Sequence, residues 1–135
     1  MRHYEVANGC CHVTWRLHSG QPSLTPAERE TVLAILRRAP EFGCRWHAAV
    51  VMDDHVHALF SPGLHRSSAQ LVGSWKGASS RLINQASGRT APLWQAEYYL
   101  RWIASPRLID ICAAYIRANP GRKWPGIVAY PWLLP

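Results

Sequence analysis

Residues 11–18, Cys11-His12-Val13-Thr14-Trp15-Arg16-Leu17-His18, alternate apolar and polar side chains without a break. A strand turns successive side chains to opposite faces, so Val13, Trp15 and Leu17 are expected to face a core. His12, Thr14, Arg16 and His18 then face the other way. The chain is thereby committed to a half-buried strand near its start, which Ser19-Gly20-Gln21-Pro22 ends. Later segments must supply partner strands and a layer over its apolar face.

Those segments are legible in turn. Thr25-Pro26-Ala27-Glu28 is a capping box with proline at the first helical position, and Val32, Leu33, Leu36 and Ala39 give the helix one apolar face up to Pro40. Cys44 to Met52 reads as a second strand and His55 to Phe60 as a third, with Asp53-Asp54 at the turn. Ser67 or Ser68 caps a second helix carrying Leu71, Trp75, Ala78 or Ser79, and Leu82. Gly88 to Pro92 is a loop, Leu93 to Ile103 an aromatic-rich fourth strand, and Ser105-Pro106 starts a last helix that Asn119-Pro120-Gly121 ends. The order β-α-β-β-α-β predicts an α+β, ferredoxin-like split βαβ plan: a mainly antiparallel sheet, helices on one face, and an additional C-terminal helix. The tail from Trp124-Pro125 to Pro135 is expected to pack across the surface. At 135 residues the chain suits a single domain, 1–135.

Composition narrows the class. With 48% apolar residues and seven Trp the chain is globular rather than disordered. No run approaches the roughly 18–20 apolar residues that cross a bilayer, so no membrane partner is expected. Met1 to Glu5 lack the apolar core of a signal peptide, and a cytoplasmic location is expected. There Cys10, Cys11, Cys44 and Cys112 should stay reduced, at least two of them as core fillers, although Cys10 or Cys11 with His12 offers a poorly spaced zinc alternative. Fifteen Lys and Arg against eight Asp and Glu give a formal charge of +7, most of it on arginine. Guanidinium groups suit bidentate phosphate contacts and so favour a polyanionic partner, while on charge alone a soluble domain that merely happens to be basic is an equal alternative.

Two motifs carry chemistry. In His55-Val56-His57, strand geometry points both imidazoles to one face, where they could share an ion. Zinc suits imidazole; an imidazole pair with an amide and open water positions also suits magnesium or manganese. The bland alternative is two polar side chains on a surface. In Tyr115-Ile116-Arg117-Ala118-Asn119-Pro120, a tyrosine and an amide lie one helical turn apart. At about 100° per residue from Leu108, Tyr115 and Asn119 fall on the side of the apolar stripe. They are either a core tyrosine and a helix-ending amide, or a nucleophile with a ligating or orienting carboxamide. A phenol with its pKa near 10 is both an attainable nucleophile and a good leaving group for phosphoryl transfer. Arg16, Lys76 or Arg101 could add charge stabilisation; Glu97 or a metal-bound water are the available guesses for a base.

Taken in order, His12-Val13-Thr14-Trp15-Arg16, Val50 through Phe60, Ser74 through Arg81, Leu93 through Tyr99, the Tyr115–Pro120 motif and Tyr130-Pro131-Trp132 resemble the single-tyrosine HUH transposases, in their REP-associated tyrosine transposase branch. The resemblance implies the fold read above and a protein that cuts and rejoins single-stranded DNA beside hairpins. It implies a 5′-phosphotyrosine intermediate and magnesium or manganese. His55 and His57 match the metal ligands, Tyr115 the nucleophile, and Asn119 the polar residue that completes the metal site. Tyr98 and Tyr99 are the rival nucleophiles.

DNA contacts are expected from Arg16, Lys76, Arg81, Arg101, Arg117, Arg122 and Lys123, with Arg66 and Arg89 as further candidates. Trp75, Trp94 and Tyr98 could stack unpaired bases. Two departures stand out: Asp53-Asp54 where the family usually has Pro-Asn or Pro-Glu, and Leu100-Arg101 where an acidic residue and histidine usually follow the tyrosine pair. The alternatives are a domesticated binder of structured nucleic acid that does not cut, and a small metal-dependent hydrolase with a structural Tyr115. Monomer and homodimer both remain open.

Overall fold

The computed structural model of the protein describes residues 9–90 and 92–134. The segment Met1 to Glu5, on which the expectation of no signal peptide rests, lies outside them. The elements run β1 (Cys10–Arg16), α1 (Pro26–Arg37), β2 (Arg45–Val51), β3 (His55–Ser61), α2 (Ser68–Ser87), β4 (Tyr99–Ile103), α3 (Pro106–Arg117), α4 (Asn119–Lys123) and β5 (Leu133–Leu134). One sheet in the order β4-β1-β3-β2-β5 contains all five strands, and every pairing is antiparallel. β3 is inserted between β1 and β2, which is the split βαβ arrangement.

Alternation on β1 sets the two faces. Cys11, Val13 and Trp15 join α1 and α2 through Val32, Leu33, Leu36, Leu71, Val72 and Trp75 in the larger core. On the other face Cys10, Val50, Met52, Leu59 and Ile103 meet Cys112, Ala113 and Ile116 of α3. The tyrosine helix therefore packs on the sheet face opposite α1 and α2. It covers the apolar half of that face and leaves its polar half open.

Local chemistry explains the element ends. Thr25 and Glu28 form the expected capping box, Ser67 and Gln70 form a second, and Ser105 caps α3. Other boundaries differ from the sequence expectation. The fourth strand starts at Tyr99 rather than Leu93: Trp94 makes only an isolated antiparallel bridge to Leu17, and the carbonyls of Gln95 and Ala96 accept from Lys76 Nζ at 2.8 and 3.1 Å. Leu82 is 46% exposed while Ile83 is buried. The tail adds β5 to β2, with Val51 N–H donating to Trp132 O at 2.9 Å. All four cysteines are buried as thiols, in keeping with core filling; burial first, then Cys112, pushes Cys10 up to about 12, and burial pushes Cys44 up to about 12 as well. Among the described residues no helix is long and apolar enough to cross a membrane.

Candidate active site

The β1–β3 register places Thr14 opposite His57 and Arg16 opposite His55, so the polar face of the first strand and the two histidines form one surface. Each histidine is oriented through Nδ1. His55 Nδ1 lies 2.6 Å from Asp54 Oδ1. An ionised carboxylate only accepts, so the proton sits on Nδ1 and the Nε2 lone pair is released. Burial alone would raise the Asp54 carboxyl, but the hydrogen bond and charge of His55, together with Lys123, outweigh it and hold the carboxyl below its usual range. His57 Nδ1 lies 2.9 Å from the Thr14 hydroxyl and 3.0 Å from His12 Nε2, and the His12 and His57 rings stack at 5.2 Å.

The two Nε2 atoms have no hydrogen-bond partner among the described residues, and neither is a buried orphan, so both open to solvent. The rings lie 4.9 Å apart. Burial, then the charges of His55, His12, Arg16 and Arg122, pushes His57 down to about 3. Burial and Arg101 push His12 down to about 4. Both imidazoles are thus neutral near pH 7, the form that ligates. Among the described residues no group of three or more His, Cys, Asp or Glu side chains is set to hold an ion. The donors that the described residues bring together here are the two imidazoles of His55 and His57.

Tyr115 stands edge-on to His57, with ring centroids 6.0 Å apart. It is 50% exposed, not turned into the core as the helical wheel suggested. The buried side of α3 is Cys112, Ala113 and Ile116, whereas Leu108, the zero of that wheel, is itself 54% exposed. Asn119 also differs in setting: α3 ends at Arg117, and Asn119 is the half-buried first residue of α4 rather than a member of the same helix. Its carboxamide makes no hydrogen bond among the described residues.

A cleft of about 890 Å³ runs from His12, Thr14, Arg16 and His57 between β4 and α3, past Tyr99, Arg101, Leu108, Ile111 and Tyr115. Glu97 lies on its rim. Tyr99 pairs across the ladder with Thr14 and meets His12 edge-on at 6.4 Å, so it shares the site face. Tyr98 packs against the larger core with Lys76 over its ring, and it too lines part of the cleft.

The other basic candidates separate by what already engages them. Arg16, Arg81 and Arg101 are exposed. Arg117 donates to His47 O at 3.1 Å, and Arg66 covers the Phe42 ring. Arg122 lies over the Tyr115 ring and Lys123 pairs with Asp53 and Asp54. Arg89 is not a phosphate contact: its guanidinium donors bond Glu28, Gln21, and the carbonyls of Pro22 and Ser23 in a buried clasp. Trp75 and Trp94 are no stacking platforms either. Trp75 is buried against Trp15, Trp46 and Phe60, and Trp94 donates to Ser79 from within the core. The sequence reading missed the positioning roles of His12, Thr14 and Asp54; the alternation of β1 held the signal for the first two.

Comparison with known proteins agrees with this arrangement. A structure described as a REP-associated tyrosine transposase bound to a REP hairpin superposes with a TM-score of 0.69 at 20% identity, over 92% of this chain and 73% of that one. A crystal structure of a Deinococcus radiodurans R1 protein assigned as a transposase gives a TM-score of 0.61 at 22% identity, over 88% and 97%. Both likenesses establish the fold. No curated protein matches the chain significantly. The profile of the family described as "Transposase IS200 like" matches residues 5–119, and with that span the chain belongs to the IS200-like transposases, a family of DNA transposition.

Proposed function

We propose that the protein nicks and rejoins single-stranded DNA at hairpin-containing sequences, with Tyr115 as nucleophile beside a magnesium or manganese ion held by His55 and His57 and completed by Asn119. The observation that carries this reading is the meeting of Tyr115 with His57 on an open polar face, at 6.0 Å between rings, with both ligand Nε2 atoms available. The hairpin-bound transposase of the same fold supports the choice of substrate.

The chemistry follows from the phenol. Tyr115 Oη attacks the scissile phosphorus and the P–O3′ bond breaks. The departing 3′-oxygen takes a proton, and the 5′-phosphate remains on the tyrosine. A 3′-hydroxyl attacking that phosphotyrosine reverses the step and returns the phenol, so no bond energy is lost between cutting and joining. A divalent ion at the histidines would polarise the phosphate and offset its developing charge. Arg16 and Arg101, exposed on the cleft, are set to hold the phosphates of the bound strand. The Tyr115 hydroxyl has no hydrogen-bond partner among the described residues and is half exposed, so it is open to an incoming phosphate.

A labelled hairpin oligonucleotide with manganese tests the reading. The wild type is expected to give a denaturant-resistant protein–DNA adduct, and Tyr115→Phe is expected to lose it while still binding the hairpin. Binding by both without an adduct would move the reading to a protein that recognises structured nucleic acid without cutting it.

A further inference from the structure

We infer that Arg122 and Lys123 form a two-sided clasp that positions both halves of the active site, Arg122 holding Tyr115 and Lys123 holding, through Asp54, the imidazole of His55. The inference rests on the proposed roles of Tyr115 and His55. It reassigns two residues whose charge alone reads as phosphate contacts.

The two are consecutive in the five-residue α4, so their side chains diverge by about 100° and reach different partners. Arg122 turns back on α3. Its guanidinium lies 4.0 Å over the Tyr115 ring and donates to Tyr115 O at 2.7 Å. The planar fork stacks on the ring while one of its arms bonds the backbone of the same residue. A half-exposed tyrosine on a helix surface would otherwise sample several rotamers; the guanidinium narrows them beside His57, whose imidazole also feels the Arg122 charge.

Lys123 turns toward the β2–β3 turn. Its ammonium pairs with Asp53 Oδ1 and lies 3.5 Å from Asp54 Oδ1, the same oxygen that accepts from His55 Nδ1. The chain Lys123–Asp54–His55 thus fixes the ring from outside the ligand shell, a placement that tunes metal affinity. Lys123 also offsets the two carboxylates that would repel a polyanion. The clasp has rigid support on both sides. α3 precedes it, and the tail beyond it is pinned to β2 by the Tyr130 hydroxyl on Val51 O and by the β5 pairing. Partly exposed ion pairs add little to stability. The effect belongs to orientation.

The test uses the full chain with manganese and a labelled single-stranded hairpin. Variants are Arg122→Gln, Arg122→Lys, Lys123→Gln and Lys123→Arg, each first checked for an unchanged urea midpoint. In metal-free protein, Lys123→Gln is expected to shift the His55 imidazole nitrogen resonances away from the Nδ1–H form. It should also weaken manganese binding about tenfold. Lys123→Arg should restore both. Arg122→Gln is expected not to weaken manganese binding and to slow adduct formation about tenfold at saturating metal and DNA. Arg122→Lys should recover only part of that rate.

Unchanged His55 resonances and manganese affinity in Lys123→Gln would overturn the Lys123 half. A normal saturated rate in Arg122→Gln, with only salt-dependent DNA affinity lost, would overturn the Arg122 half and make the residue a phosphate contact. An adduct that survives Tyr115→Phe would instead overturn the tyrosine reading, and with it Arg122. The metal-free His55 measurement decides the Lys123 half in every case.

Discussion

His57 is met on one ring nitrogen by the Thr14 hydroxyl and the His12 imidazole, and edge-on by Tyr115. The residues that meet it come from two separate elements, β1 and α3, so its position reports on the whole site. When the Thr14 hydroxyl accepts from Nδ1–H, it selects the tautomer whose Nε2 can ligate. Thr14→Val keeps the β-branched shape and removes only that oxygen. It is expected to raise the manganese dissociation constant about tenfold, read by electron paramagnetic resonance, with little change in unfolding midpoint. At this scale the sequence was informative where spacing alone decides geometry. His55-Val56-His57 needs only a strand for both rings to share a face, and β3 supplies it. Asp54 was legible only as unwanted charge, because its use depends on contacts with His55 and Lys123 that the fold creates.

Among the elements, α1 and the loop after α2 show how a basic residue can serve structure instead of ligand binding. Glu28 completes the capping box of α1 and is bridged by Arg89 at 2.6 and 2.8 Å, with little solvent access to either. Burial by itself would raise the Glu28 carboxyl; the Arg89 and Thr25 hydrogen bonds win and leave it below its usual range. A depressed carboxylate stabilises the fold above its unfolded-state value and loses that contribution as pH falls through the folded one. Urea midpoints of the wild type should therefore fall as pH drops through the carboxylate range, and Glu28→Gln should flatten that fall. Arg89→Met leaves a buried carboxylate unpaired and is expected to cost about 3 kcal/mol near pH 7 in urea unfolding. A loss below about 0.5 kcal/mol would mean that the bridge is screened as a surface pair is.

Helix α3 illustrates why wheels mislead when their zero is unknown. Its apolar residues lie all round, with Cys112, Ala113 and Ile116 on the sheet and Leu108, Ile111 and Tyr115 on the cleft. Periodicity marks a helix there, but only packing tells which apolar flank is buried.

For the molecule as a whole, one sheet with two unlike faces organises everything. The face under α1 and α2 is core throughout; the other is core beneath α3 and polar beside it. The antiparallel plan was legible because capping boxes, alternation and turn residues each mark their own segment. The start of β4 and the β5 pairing were not, since Lys76 and the tail act across long stretches of chain. Charge at this scale belongs to binding. Arg101 is exposed on the cleft, and Arg101→Gln is expected to weaken hairpin binding and to reduce the slope of log affinity against log salt by about 1. An unchanged slope would place the strand elsewhere on the surface.

The most direct test of the central claim is to digest the covalent protein–DNA adduct with trypsin and locate the nucleotide by mass spectrometry. Cleavage after arginine isolates Tyr115 in residues 108–117, apart from Tyr98 and Tyr99 in residues 90–101. The expected result is a nucleotide on the 108–117 peptide alone. A nucleotide on the 90–101 peptide would contradict it and move the nucleophile to the Tyr98–Tyr99 pair, of which Tyr99 shares the site face.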